Sequence, residues 1–145
     1  MRGIEVRVLN HCVISHRSRR RIARPLTGPA LAQRSKSIEH LAVGLLESVY
    51  EEALSYELKQ AGCGVQRQAQ TPILYKDVTL ATPLRIDLLV NELVIVECKA
   101  VSQYNPIFAT QVLTYLRLRS LKLGMVINFG EKLVKDGIHR VVNDL

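Results

Sequence analysis

The sequence predicts an α/β fold, a mixed sheet flanked by helices, in the order helix, three or four strands, helix, strand. Three observations predict it. A helical repeat of apolar residues starts at Ile38, two apolar strands follow at 85–90 and 93–99, and a helix start signal stands at Asn105-Pro106. The 145 residues are enough for one ordinary domain and little else.

Composition and charge limit the class of protein. The hydrophobic share of 48% and charged share of 23% are typical of a soluble globular protein, and no apolar run is long enough to span a membrane. The net charge of +7 is uneven, because residues 1–36 carry nine Lys/Arg against one acid. Eleven basic and twelve acidic residues remain in 37–145, so that segment has no broad cationic face for nucleic acid.

We therefore divide the chain into a basic, disordered leader at 1–36 and a domain at 37–145. The run Arg17-Ser18-Arg19-Arg20-Arg21 is also compatible with a phosphate-binding arm, an organelle transit peptide or a start codon placed too early. Three scattered cysteines form neither a disulfide framework nor a zinc pattern, which favours a reducing, cytoplasmic location.

The first helix is expected from Ile38, with Ser37 as its N-cap, to Gly62. Its apolar stripe has the 3.6-residue period and comprises Ile38, Leu41, Ala42, Leu45, Val49, Ala53 and Tyr56. Short strands are expected at 64–75 and 78–80, then 85–90 and 93–99. Asn105 and Pro106 start a second helix that runs to about Ser120, and strands follow at 123–129 and 138–142.

Three charged residues stand on the two strongest strands. Glu97 and Lys99 share one face of their strand, about 7 Å apart, and Asp87 lies in the preceding strand. Charges on apolar strands must be desolvated, which is costly unless they are paired or bound to metal. Two carboxylates on neighbouring strands favour Mg²⁺, a hard cation, for which Mn²⁺ can substitute. A nearby lysine can orient the attacking water or help to deprotonate it, and can balance phosphate charge.

The loop between these strands decides whether the two carboxylates meet. A two-residue turn at Asn91-Glu92 would pair Asp87 with Val96 and put it on the face opposite Glu97. An odd-length loop would set Asp87 across from Glu97. We therefore predict a three-residue loop or a bulge, with Asn91 or Glu92 in a left-handed conformation. The alternative to a metal site is a solvated sheet end with a simple Glu-Lys pair.

The helices offer further candidates. Gln111 and Tyr115 are four residues apart, so they share a helix face and could hold a phosphate or base, or be a border residue beside a core tyrosine. Glu47 lies at the margin of the first apolar stripe, where it could join the metal site or be solvated. Gly44, one turn earlier, would let the backbone approach the sheet closely.

Several blocks resemble the GxxExxY proteins, a prokaryotic family assigned to the PD-(D/E)xK nuclease superfamily. The matching blocks follow the order of that family and cover 44–54, 85–90, 95–100, 111–115, 124–130 and 136–143. The first of them reads Gly44-Leu45-Leu46-Glu47-Ser48-Val49-Tyr50. The resemblance implies a restriction-endonuclease-like core with the order α-β-β-β-α-β.

The resemblance also implies roles by position. Asp87 and Glu97 would bind the metal together with the main-chain carbonyl of Cys98, and Lys99 would be the catalytic lysine. Glu47 would be the first-helix acid. Gln111 and Tyr115 would match a Gln-x-x-x-Tyr element found in the exonuclease branch of the superfamily.

Two functions remain open from the sequence. The first is a Mg²⁺-dependent nuclease that hydrolyses phosphodiester bonds, with DNA as the expected partner, although the residues do not separate DNA from RNA. The second is a catalytically silent module on the same scaffold that binds nucleic acid or a protein. No membrane partner is expected, and an obligate homodimer is a third alternative.

Overall fold

The computed structural model describes residues 28–36, 38, 41–42 and 44–144. Its helices are α1 (Gly28–Lys36), α2 (Glu47–Gln60) and α3 (Ile107–Arg119), with a 3-10 helix at Val134–Gly137. Its strands are β1 (Val65–Thr71), β2 (Leu74–Tyr75), β3 (Val78–Thr79), β4 (Leu84–Val90), β5 (Val94–Lys99), β6 (Leu123–Asn128) and β7 (Ile138–Val142). The part of the expected leader at 1–27 and the expected N-cap Ser37 lie outside the described residues.

The main sheet has five strands in the order β1-β4-β5-β6-β7, and β2 and β3 form a separate hairpin. Strands β5 and β6 are parallel and are joined through α3, whereas the other neighbouring pairs are antiparallel. One apolar cluster lies on the α1 and α2 side of the sheet and a second on the α3 side. The predicted mixed sheet flanked by helices is therefore confirmed.

Residues 28–36, which we expected in the leader, form a helix in this structure. Leu31 of α1 is 1% exposed and belongs to the same apolar cluster as Leu54 and Leu58 of α2. Arg34 also lies 3.9 Å from Glu57 of α2. This stretch therefore packs against the domain, and the expected boundary at residue 37 does not apply to it. Within the described ranges, no helix is long and apolar enough to cross a membrane.

The first long helix starts later than predicted. The sequence repeat from Ile38 predicted a helix there, but α2 begins at Glu47. Gly44 has φ +88°, a left-handed value that would interrupt a helix, and a Cβ added there would have no neighbour within 4 Å. The predicted role of Gly44 in close packing is therefore wrong, and its role is to turn the chain before α2.

The buried face of α2 also differs from the predicted stripe. Val49 and Tyr56 are 39% and 61% exposed, whereas Tyr50, Leu54 and Leu58 are buried. Their four-residue spacing defines the face that packs on the sheet. Glu47 lies one turn before Glu51 on this face, so the start of α2 brings a carboxylate to the sheet. The predicted end is confirmed, since α2 stops at Gln60 and Gly62 follows with φ +84°.

The second long helix starts as its sequence predicts. The Asn105 side chain accepts a hydrogen bond from the main-chain N–H of Ile107 at 3.0 Å, and Pro106 has φ −55°. Ser120 ends α3 with φ +54°. This helix covers the sheet through Val112 and Leu116, both fully buried.

The β4–β5 loop has the predicted geometry. Val90 pairs with Val94, which leaves three residues between them, and both Asn91 and Glu92 have positive φ, +52° and +57°. The Asn91 side chain also accepts a hydrogen bond from the Gly64 N–H at 2.7 Å. The loop length sets the register of the strands that carry the charged residues.

Replacing Glu92 with glycine tests this loop. Because the Glu92 side chain is exposed, the main effect of a substitution there is on the strain of its left-handed backbone. We expect Glu92→Gly to be more stable than Glu92→Ala by about 0.5–1 kcal/mol, because only glycine adopts this φ without strain. Urea unfolding of the two variants measures the difference. Equal stability would contradict the left-handed conformation at residue 92.

Candidate active site

The register of β4 and β5 brings the two strand carboxylates together. Leu88 pairs with Val96 and Leu89 with Ile95, so the next position along the ladder sets Asp87 opposite Glu97. Opposed residues of an antiparallel pair project to the same face. The register therefore implies that Asp87 and Glu97 are juxtaposed, and the negative charge of Asp87, which raises the pKa of Glu97, agrees with this placement.

Asp87 is half-buried and tied to the neighbouring strand. Its Oδ2 atom accepts a hydrogen bond from the main-chain N–H of Cys98 at 2.9 Å. Burial raises the pKa of Asp87, and this effect outweighs the Cys98 hydrogen bond and the charge of Lys99, which lower it. The hydrogen bond from Cys98 thus orients the Asp87 carboxylate, but the hydrogen bond and the charge of Lys99 do not fully compensate for its burial.

Glu97 is more deeply buried, at 5% exposure. Its Oε1 atom accepts a hydrogen bond from Lys99 Nζ at 2.8 Å, while its Oε2 atom is buried without a hydrogen-bond partner among the described residues. Burial, followed by the negative charge of Asp87, raises the pKa of Glu97 to about 7. Near neutral pH this oxygen requires either a proton or a cation.

Lys99 connects the strands to the first long helix. Its Nζ atom lies 2.8 Å from Glu97 Oε1 and 3.7 Å from Glu47 Oε1, and it stands 5.3 Å from the centre of the Phe108 ring. Burial lowers the pKa of Lys99, but the hydrogen bond and charge of Glu97 outweigh burial and the pKa is raised. The side chain is therefore an ammonium group that can balance negative charge and does not act as a base in this state.

The two predicted helix residues of α3 are placed differently. Tyr115 is half-buried, and its pKa is raised by burial and then by the charge of Glu97, which puts the ring near the carboxylates. Gln111 is exposed one turn earlier, and its side chain forms no hydrogen bond within the described part of the chain. Tyr115 is therefore close enough to the carboxylates for their charge to act on it, whereas Gln111 is an exposed residue of the same helix.

Sequence reasoning missed an acid beside this cluster. Glu51 is 4% exposed, and its oxygens accept hydrogen bonds from Arg67 Nε at 2.9 Å and Gln68 Nε2 at 2.8 Å. The four-residue spacing from Glu47 puts Glu51 on the same helix face, and that spacing was a usable signal. Its partners on β1 could not be inferred from a local pattern.

On β1 and β4, the side chains change from one face of the sheet to the other near Gln68 and Asp87. Val65 and Leu88 pack with the α2-side cluster. Ala69 on β1 and Ile86 on β4 are separated from them by an even number of residues, so the alternation of side chains along a strand predicts the α2 side for both. They pack instead with the α3-side cluster. Gln68 lies at this switch with φ +51°, which costs a non-glycine residue about 1 kcal/mol or more. Asp87 therefore sits at a locally distorted point of the sheet.

The donor set fits a hard divalent cation at Asp87 and Glu97. In the described ranges, no three His, Cys, Asp or Glu side chains already form a metal cluster. The fit rests instead on the buried, unpaired Oε2 of Glu97 and on the facing carboxylate of Asp87. Glu47 adds negative charge close by, since it raises the pKa of both residues. Oxygen donors of this kind suit Mg²⁺ or Mn²⁺.

Five strands flanked by helices, with two strand carboxylates beside a lysine, define an α/β protein with a candidate hydrolytic metal site. The family model of the PD-(D/E)XK nuclease superfamily matches residues 30–141. The match covers well over half of the chain, which therefore belongs to the PD-(D/E)XK nuclease superfamily. No curated protein and no solved structure matched the chain. Membership indicates a nuclease-type function on nucleic acid, and nucleases of this superfamily typically use divalent metal ions.

The ionisation of Glu97 should be visible in the stability of the metal-free protein. Because the pKa of Glu97 is raised from 4.5 to about 7 on folding, the folded state holds a proton that the unfolded state releases. The stability present below pH 4.5 is thus lost as the pH rises through about 7. Relative to Glu97→Gln, we expect the wild type to lose about 2–3 kcal/mol between pH 5 and pH 8.

Urea unfolding in the presence of a chelator at several pH values measures this loss. Glu92→Gln, the same substitution at an exposed position, is the matched control and should follow the wild-type pH dependence. Parallel stability curves for the wild type and Glu97→Gln would contradict the raised pKa.

Proposed function

We propose that this protein is a Mg²⁺-dependent nuclease that hydrolyses phosphodiester bonds in nucleic acid. The observation that carries the proposal is the buried Oε2 atom of Glu97, which lacks a hydrogen-bond partner among the described residues and faces Asp87 beside Lys99. A structural Glu-Lys pair would not need a second carboxylate opposite it. A metal site does need one.

Asp87 and Glu97 would hold the ion, and the main-chain carbonyl of Cys98 is proposed as a third oxygen donor. Glu47 is proposed to act through its charge at the margin of the same site, 3.7 Å from Lys99. When bound, the ion polarises the phosphoryl group and lowers the pKa of a coordinated water. The chain itself fixes the two carboxylates through the strand register and the Cys98 N–H.

Lys99 would act on the substrate as a cation. Its ammonium group is held at the end of β5 by Glu97, in position to balance charge on a phosphate and orient the attacking water. Tyr115 supports the proposal as a half-buried hydroxyl close to the carboxylates, and Gln111 could contact substrate at the exposed rim of α3. Both are proposed to position nucleic acid rather than to transfer protons.

We also propose that the chain belongs to the GxxExxY proteins within the superfamily. The support is Gly44, Glu47 and Tyr50 at the spacing of that motif, each with a role in this fold. Gly44 turns the chain into α2, Glu47 approaches Lys99, and the Tyr50 hydroxyl donates a hydrogen bond to the Ala42 carbonyl at 2.8 Å. DNA is the proposed substrate, and a cytoplasmic location fits the free thiols of Cys63 and Cys98.

A catalytically silent binding module is the second candidate. One observation favours it: Lys99 already pairs with Glu97 and approaches Glu47, so the cluster partly neutralises its own charge. The near-balanced charge of residues 37–145 also limits the electrostatic grip on a phosphate backbone. Metal-dependent cleavage separates the two candidates.

The nuclease proposal predicts cleavage that depends on Asp87 and Lys99. The full-length chain with Mg²⁺ or Mn²⁺ should cleave at least one of linear, nicked or single-stranded DNA or RNA. Asp87→Asn and Lys99→Ala should each lower the rate at least about 100-fold, because one weakens the metal site and the other removes the positioned cation.

Asp77→Asn and Lys76→Ala, at exposed positions of the β2–β3 turn, provide matched controls that should retain the wild-type rate. Gel-based rates with and without a chelator are the measurement. Cleavage that is absent, independent of metal, or unchanged in Asp87→Asn and Lys99→Ala would overturn the proposal.

A further inference from the structure

An ion pair between the buried Glu51 and the exposed Arg67 lies next to Gln68, an exposed glutamine beside the candidate metal site. Both oxygens of Glu51 are occupied, one by Arg67 Nε at 2.9 Å and the other by Gln68 Nε2 at 2.8 Å. Arg67 also lies 3.6 Å from Glu52, so α2 holds β1 through two acids. Since Glu51 is fully paired and buried, it fixes the position of the Gln68 amide.

The same amide reaches the candidate metal ligand. Gln68 Nε2 lies 3.4 Å from Asp87 Oδ1, while Asp87 Oδ2 is held by the Cys98 N–H at 2.9 Å. An ionised carboxylate only accepts hydrogen bonds, so the NH₂ group must face both acids. The opposite amide orientation would set its oxygen against two negative groups. Each hydrogen of the amide thus points to one carboxylate.

The choice of glutamine at this position preserves the charge of the site. A lysine or arginine between Glu51 and Asp87 would neutralise the ligand, whereas an amide separates the two acids and leaves the charge of Asp87 in place. Gln68 keeps this position with φ +51°, at the point where the sheet changes its facing. A strained backbone at a contact with the site is a recurrent property of functional positions.

We propose that Gln68 is a positioning residue that aims the Asp87 carboxylate at the divalent ion, with Glu51 and Arg67 as its anchor. This inference rests on the proposed function, since it concerns the same metal site. It assigns Gln68 no contact with the ion or with the substrate.

Mn²⁺ binding to the full-length chain, measured by titration calorimetry, tests the inference without relying on activity. We expect Gln68→Gly to bind Mn²⁺ roughly tenfold more weakly, the usual scale for losing a residue that orients a metal ligand. Glycine accepts the positive φ, which offsets part of the cost of leaving the buried Glu51 oxygen without its Gln68 partner, and a cooperative melting transition checks that the variant is folded. Gln70→Gly, at an exposed position of the same strand, should keep the wild-type affinity.

A second substitution guards against an effect of glycine alone. Gln68→Asn tolerates the left-handed backbone but is one methylene shorter, so it should lose the bridge and show the same weakened affinity. Wild-type affinity in Gln68→Gly and Gln68→Asn would overturn the role of Gln68 and leave the nuclease proposal intact. Absence of Mn²⁺ binding by the wild type, or undiminished binding by Asp87→Asn, would instead overturn the proposed metal site and with it this inference.

Discussion

The structure around the site depends on one unfavourable arrangement, the burial of the Glu97 carboxylate beside Asp87. Isolated in an apolar sheet, two facing carboxylates repel each other and lose hydration. Lys99 donates a hydrogen bond to one oxygen of Glu97, but the other oxygen has no hydrogen-bond partner among the described residues. Burial and the nearby charge of Asp87 therefore raise the pKa of Glu97 to about 7. A divalent cation would satisfy both acids at once, and nucleases of this superfamily typically use such ions.

The surrounding elements hold this arrangement in place. The three-residue loop after Val90 sets the register, Cys98 donates its N–H to Asp87, and α2 supplies Glu47 next to Lys99. The first two contacts join β4 to β5 and the third joins α2 to β5, so the site depends on the packing of α2 against the middle of the sheet. A stable scaffold can thus hold two repelling carboxylates close together in the site.

The sequence predicted the features that local patterns encode. Apolar runs located β4 and β5, loop parity predicted the register that faces Asp87 with Glu97, and Asn105 with Pro106 predicted the start of α3. One error came from a pattern that tertiary structure overrides. The apolar period from Ile38 continued by chance through the turn at Gly44, so it predicted a helix start nine residues before α2.

Contacts between distant residues could not be predicted in the same way. The burial of Glu51 depends on Arg67, sixteen residues away on another element, and the left-handed conformation of Gln68 follows from the local change in facing of the sheet. Leu31 is part of the core because α1 packs on α2 and on the 3-10 helix. None of these contacts leaves a periodic signature. From the sequence alone, residues 64–75 were expected to form a strand and residues 1–36 a disordered leader.

Anomalous diffraction from crystals of the full-length chain grown with Mn²⁺ tests the central claim most directly. The account predicts one anomalous peak with a carboxylate oxygen of Asp87 and one of Glu97 both about 2.1 Å away. A peak that contacts only one of these residues, or no peak between them at saturating Mn²⁺, would contradict it.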